Sequence, residues 1–223
     1  MRLNKYIAHA SGVSRREADE LIDRGLVAVN GQQVKIGQDI DETKDIVTMR
    51  GQKLTMPSEH TTIMLNKPVG YVCSRNAQAK GVETVYALLP PELHKLKSVG
   101  RLDKDSSGLI LLTDDGDLAF QLTHPKFAKT KEYIVELDKP LQPLHQQMIS
   151  DFGLNLDDGV SKLLLEGLND DRTKFRVTMS EGRNRQIRRT FAALGYTVTA
   201  LHRTAFGPYQ LGNLPEGEWR KAA

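Results

Sequence analysis

The chain lacks what several kinds of protein need. Its 223 residues hold one cysteine, Cys73, which excludes an internal disulfide and nearly excludes a cysteine-based zinc site. The opening Met1-Arg2-Leu3-Asn4-Lys5-Tyr6 has no apolar signal core, and no apolar run approaches the length of a membrane span. A cytoplasmic protein without a membrane partner is the expectation. A strong charge of either sign is missing as well. The net charge of +3 permits a polyanionic partner without demanding one, so the placement of the arginines matters more than their total. There is no internal repeat and no low-complexity segment. What is present, 39% hydrophobic and 26% charged residues, suffices for a sizeable core, and the length accommodates a small domain plus a medium one.

Leu3, Tyr6, Ile7 and Ala10 recur at helical spacing, and Gly12 closes that helix. Ser14-Arg15-Arg16-Glu17 reads as a capping box opening a second helix that bears Ala18, Leu21 and Ile22 and stops at Gly25. Val27 and Val29 then alternate into Asn30-Gly31, a strong hairpin signal, and residues 46–49 supply another short strand. The polar stretch 56–60 reads as a linker, which gives a small module over 1–57 and a larger domain over 58–223. In the second part, 62–65, 108–113, 133–137, 161–165, 175–179 and 198–201 read as strands, and 118–122, 141–149 and 185–194 as helices. Many strands with scattered helices argue an α+β fold rather than a regular βαβ array.

Two runs carry the chemistry. In Gly100-Arg101-Leu102-Asp103-Lys104-Asp105-Ser106-Ser107-Gly108, an arginine and a carboxylate stand two residues apart, just before a strand apolar enough to be buried on both faces. Polar groups at the mouth of such a strand sit on rigid scaffold, where a reactive group can be positioned. Far downstream, Glu181-Gly182-Arg183-Asn184-Arg185-Gln186-Ile187-Arg188-Arg189 concentrates arginines on one helix side, with Ile187, Phe191 and Leu194 on the other. Taken alone, the first run fits a solvated turn equally well, and the second an arginine cluster facing an RNA backbone.

Together these runs, with Leu65-Asn66-Lys67-Pro68-Val69-Gly70, Lys131-Glu132-Tyr133 and the closing Gly217-Glu218-Trp219-Arg220, resemble the pseudouridine synthases that modify ribosomal RNA. The branch in question carries a small RNA-binding module ahead of the catalytic domain, and Ser14-Arg15-Arg16-Glu17-Ala18 is similar to that S4 domain. The resemblance implies an S4-like module followed by a mixed, largely antiparallel-sheet catalytic domain. It also implies ribosomal RNA, as a structured stem-loop, for the substrate, and no cofactor. A monomer is expected. Residues 2–7 and 184–189 lean toward large-subunit enzymes, the F-type above all, while His124-Pro125 is also at home in small-subunit relatives.

The resemblance assigns residue roles by position. Asp103 becomes the catalytic carboxylate, Arg188 its partner cation, suited to bidentate pairing, and Tyr133 the ring against a flipped uracil. Arg101 is expected to hold the target nucleotide out of the stack, since a base inside a duplex cannot be reached. Leu201 lines the uracil pocket in relatives, and Arg185 and Arg189 complete the substrate contacts. Lys67 either braces the active-site loop or touches RNA. Arg2, Lys5, Arg15 and Arg16 are the RNA-binding candidates of the first module. Without the resemblance, Tyr133 and Leu201 are ordinary core residues, Arg101 a surface ion-pair partner, and the basic residues of the first module a solvated helix face. A calcium loop beginning at Asp103 is set aside, because Leu109 and Leu111 would fall on ligand positions and Arg101 and Lys104 would oppose the ion; no metal is expected. Two rival readings are a non-catalytic RNA-binding assembly factor on the same fold, and a helix-turn-helix regulator using residues 1–30. The second suffers because that segment runs straight into a hairpin.

Overall fold

A computed structural model describes residues 1–75 and 81–222. The chain divides into two compact units, Met1–Thr61 with Asp114–Gly116, and Thr62–Thr113 with Asp117–Ala223. Among the described residues no helix is long and apolar enough to cross a membrane.

In the first unit, α1 (Leu3–Ser11) ends at Gly12, whose φ of 79° is left-handed and free for glycine. α2 (Arg15–Asp23) is capped by Ser14, whose hydroxyl accepts the amide of Glu17 at 3.1 Å. The strands β1 (Val27–Val29), β2 (Gln32–Gln33), β3 (Val47–Met49) and β4 (Gln52–Lys53) form a sheet in the order β2-β1-β3-β4. Asn30 and Gly31 both take positive φ, as a tight two-residue hairpin requires. Leu3, Ile7, Ala18, Ile22, Val27 and Val47 form this unit's own core.

The second unit is built on one mixed sheet. Its strands are β5 (Thr62–Lys67), β6 (Lys97–Val99), β7 (Ser107–Thr113), β8 (Lys131–Leu137), β9 (Leu154–Leu156), β10 (Gly159–Ser161), β11 (Leu164–Gly167), β12 (Lys174–Met179), β13 (Val198–Phe206), β14 (Tyr209–Gln210) and β15 (Trp219–Lys221). The order is β11-β12-β8-β13-β7-β5-β15, with β14 added to β13 and β6 to β7, while β9 and β10 make a separate hairpin. All pairings are antiparallel except that of β13 with β7, where Arg203 stands opposite Gly108. β7 is buried on both faces. Ile110 and Leu112 enter one core cluster with Ile63, Leu65, Val135 and Phe175, whereas Leu109 and Leu111 enter another with Met64, Leu122 and Phe206.

Three helices accompany the sheet: α3 (Gly116–Thr123), α4 (Pro143–Gln147) and α5 (Gln186–Ala192). The helix expected over 141–149 is shorter, and it passes into a π-helical turn at Met148–Phe152. The strand expected over 161–165 is two, with Leu163 buried between β10 and β11. Arg185, expected inside a helix, sits at the N-cap of α5 in the left-handed region with φ 46° and ψ 31°. That single residue changes the direction in which its side chain leaves the helix.

Candidate active site

The loop between β6 and β7 carries Arg101, Asp103 and Asp105, and it is held by its own main chain. Three successive carbonyls find donors. Lys104 O accepts the amide of Gly70 at 2.7 Å, Asp105 O accepts Arg188 Nη2 at 2.8 Å, and Ser106 O accepts Lys67 Nζ at 2.6 Å. Buried carbonyls without partners are costly, so these bonds fix the path of the loop. Lys67 also donates to Pro68 O at 2.8 Å and is fully buried. Burial pushes its ammonium pKa down, and Cys73, Asp105, Asp103 and Glu216 partly offset this. Of its two expected roles, loop brace and RNA contact, this burial leaves the brace.

Asp105 takes the strong ion pair of the site. Arg185 donates to both of its carboxylate oxygens at 2.9 Å, and Arg188 Nε lies 3.4 Å from one of them. The Arg185 hydrogen bonds, with the charge of Arg188, hold this carboxyl below the usual carboxylate range against a smaller opposing effect of burial. Asp103 is different. Its nearest cation is Arg185 Nη1 at 3.5 Å, and its carboxylate accepts no hydrogen bond among the described residues.

The bidentate pair expected between Arg188 and Asp103 is therefore not formed. Arg188 is occupied by the carbonyls of Val198 (2.8 Å) and Asp105, and Arg185, turned by its left-handed backbone, faces the carboxylates instead. Arg189 also departs from expectation. It bonds Asn184 O at 2.9 Å and pairs with Asp157 and Asp158 at the β9–β10 turn, and it does not line the cavity.

A cavity of about 510 Å³ opens beside the loop. Arg101, Asp103, Tyr133, Arg185 and Leu201 all line it. Tyr133 and Leu201 reach it from β8 and β13, where Tyr133 stands opposite Arg203 and Val135 opposite Leu201. Tyr133 is buried, yet its hydroxyl has no partner among the described residues. Arg101 is exposed and has no ion-pair partner among them either.

Two cations of the wall escaped the sequence reading. Arg203 is 2% exposed; its Nε donates to Leu109 O at 2.7 Å, and its Nη2 is buried without a partner. Its guanidinium lies 5.0 Å from the ring centre of Phe206, and Lys131 Nζ lies 5.3 Å from the same ring. Burial and the neighbouring Arg203 push the Lys131 pKa down, while Glu181 opposes this. A signal for Arg203 existed, since strand alternation puts it on the face of Leu201 and Ala205, both buried.

The first-module candidates belong to the other compact unit. Arg2 bonds Gly37 O and pairs with Asp39 at 3.2 Å, and Arg15 donates to Asn4, which also bonds Asp19. Arg16 is exposed on α2, and Lys5 lies on α1. Among the described residues, no three His, Cys, Asp or Glu side chains converge as metal ligands would.

Comparison with known proteins adds the family. Residues 1–47 match the S4 domain, and residues 61–193 match the RNA pseudouridylate synthase model. A ribosomal small subunit pseudouridine synthase A of Pasteurella multocida is 38% identical, over 99% of this chain and 95% of that protein. The dual-specificity RNA pseudouridine synthase RluF of Salmonella typhi is 37% identical, over 98% of this chain and 74% of that protein. A solved pseudouridylate synthase, 36% identical and covering 100% of this chain and 96% of its own, superposes with a TM-score of 0.70. The chain thus belongs to the RNA pseudouridylate synthase family, in the form that carries an S4 domain at its N-terminus.

Proposed function

We propose that the protein isomerises a uridine of ribosomal RNA to pseudouridine, with residues 1–57 capturing folded RNA and residues 58–223 performing the reaction. The observation that carries this reading is the convergence of Asp103, Tyr133 and Leu201 on one cavity in a chain of this family. The reaction breaks the bond from ribose C1′ to uracil N1 and makes one from C1′ to C5, with a proton lost from C5 and one gained at N1. Atoms and electrons balance within the nucleotide, so the chemistry requires no cofactor. The target must leave the RNA stack to enter the cavity, which costs a few kcal/mol. Arg101, exposed and lining the cavity, is the residue that would fill the vacated space.

Within the cavity Asp103 acts at the junction of ribose and base, and its carboxylate oxygens accept no hydrogen bond among the described residues. Arg185, bonded to Asp105, sets a positive charge 3.5 Å from the Asp103 carboxylate. Arg188 holds the loop through the carbonyl of Asp105. Tyr133 packs against the uracil, and its hydroxyl, without a partner among the described residues, is available for proton transfer. Leu201 gives the base an apolar wall. For the RNA itself, large-subunit rRNA is the first choice on residues 2–7 and 184–189, although relatives named for the small subunit match equally well.

The test is to incubate the protein with unmodified small- and large-subunit rRNA and map pseudouridines by carbodiimide-dependent reverse-transcription stops. One new stop, absent with Asp103→Asn, is expected. No stop on either RNA or on partly assembled particles would refute the reading in favour of a non-catalytic assembly factor.

A further inference from the structure

We propose that Phe120, His124 and Phe127 form a stacking platform for an unpaired RNA base beside the target uridine. The inference rests on the proposed reaction for the identity of the nucleic acid, and on the following geometry for the site. α3 is anchored by Leu118, Ala119 and Leu122, which pack with Leu111 and Phe206, and this turns Phe120 outward. The helix is followed by a 3₁₀ turn at Pro125–Phe127, closed by Ala128 in the left-handed region with φ 44°. His124 Nδ1 accepts the amide of Lys126 at 3.2 Å, which fixes the imidazole ring.

The result is three rings held together at the surface. Phe120 lies 4.6 Å from His124 and 5.8 Å from Phe127, centre to centre. Phe120 and Phe127 are 45% and 37% exposed. Exposed phenyl rings that a short, rigid turn holds in one cluster are a binding surface more readily than a core remnant. Lys126 Nζ sits 4.6 Å from the ring centre of Phe127 and 5.2 Å from that of Phe120, so a cation accompanies the π-faces.

Charge and position select RNA over a protein partner. Lys126, Lys129 and Lys131 follow the rings closely, which suits a phosphate backbone, while Asp117, one helical turn before Phe120, is the acidic residue of α3. His124, Pro125, Ala128 and Lys129 line the cavity that holds Asp103, whereas Phe120 and Phe127 do not. The rings therefore stand outside the wall over which a strand must pass once its uridine is inside. Aromatic rings accept any base by stacking, so the platform would hold the flanking nucleotide without reading its identity.

The test compares the full-length protein with a Phe120→Leu/Phe127→Leu double variant, which keeps apolar bulk and removes both rings. Affinity for transcribed 16S and 23S rRNA is measured at matched salt, with unfolding as a folding control. The platform predicts roughly ten-fold weaker binding, the scale of one lost base–ring stack, and in modification assays a loss that falls on KM. Binding within about two-fold of the parent protein, less than any such stack is worth, would overturn the platform. Because affinity is read independently of turnover, the two proposals fail separately. If the parent modifies no uridine while the variant binds ten-fold more weakly, the reaction is wrong and the platform stands. If the parent modifies rRNA and the variant binds as tightly, the reverse holds.

Discussion

Gly108→Ala tests whether the junction of β7 and β13 governs both stability and catalysis. Gly108 has φ +103°, and a Cβ there would lie 2.3 Å from Arg203 O, 2.5 Å from its N and 2.9 Å from its C. All three atoms are backbone, so no rotamer change relieves the clash. Holding a non-glycine residue at positive φ costs about 1–2 kcal/mol, and forcing extra bulk into packed backbone adds about 1–3 kcal/mol. Together the loss should be roughly 2–5 kcal/mol. Gly70→Ala is the control, because Gly70 has φ +97° and nothing within 4 Å; it should show the conformational part alone, about 1–2 kcal/mol. The single tryptophan, Trp219, lies on β15 of the same unit, so its fluorescence follows urea unfolding of that unit. Activity should fall about 100-fold, the scale of a displaced catalytic group, because Gly108 separates the Asp103 loop from the strand bearing Leu201 and Arg203. A Gly108→Ala protein no less stable than Gly70→Ala would refute the close-approach argument.

Other substitutions probe the supports of the site. Asp105 holds its carboxyl below its ordinary value of 3.8, so its stabilisation is present above that value and fades as pH falls through the folded one. Asp105→Asn should therefore be less stable than the parent near neutrality and converge with it in acid, as followed by urea midpoints from pH 7 downward. Lys67 has the opposite sense. Its depressed pKa means that the unfolded chain binds more protons between the folded value and 10.5, so the parent gains stability with rising pH in that window. Lys67→Met should lack this alkaline gain when urea midpoints are followed from pH 7 upward, and should turn over more slowly because Ser106 O loses its donor. Thr190→Val removes the bond to Ser161 Oγ at 2.7 Å and the donation to Gln186 O at 2.9 Å. It should cost about 1–2 kcal/mol in urea unfolding, loosening the seat of α5.

Features governed by local pattern were legible in the sequence. The Ser14 N-cap (though not the reciprocal Glu17 bond of a full capping box), the Asn30-Gly31 turn and the two-sided burial of β7 follow from side-chain chemistry and spacing that involve only neighbours. β15 did not announce itself, because Trp219-Arg220-Lys221 has one apolar residue and gains its place only by pairing with distant β5. At the site, the convergence of Asp103, Tyr133 and Leu201 on one cavity came from motif resemblance rather than from periodicity. The arginine pairings differ from those expected because the bonds of Arg188 go to carbonyls and the reach of Arg185 depends on one backbone dihedral. Nothing in the side-chain pattern announces that Arg188 will be held by Val198 O, or that Arg185 will be left-handed. Gly108 was visible as part of a motif, but its reason, the close approach of Arg203, exists only in the folded sheet.

The division of labour between the two carboxylates follows from this arrangement. A cation bonded directly to Asp103 would occupy the oxygens that the proposed reaction needs. Here Asp105 takes both hydrogen bonds from Arg185, while Asp103 stands 3.5 Å from the same guanidinium. Charge–charge attraction falls slowly over that distance whereas a hydrogen bond does not survive it. Asp103 thus keeps a favourable field and free lone pairs. Arg188 holds the carbonyl of Asp105 and so couples the position of the pair to β13, the strand that presents Leu201. Loop, helix and strand are in this way tied through one residue that need not touch the substrate. Loss of Arg188 should consequently displace Asp103 and Leu201 relative to each other, even with the Arg185–Asp105 pair intact.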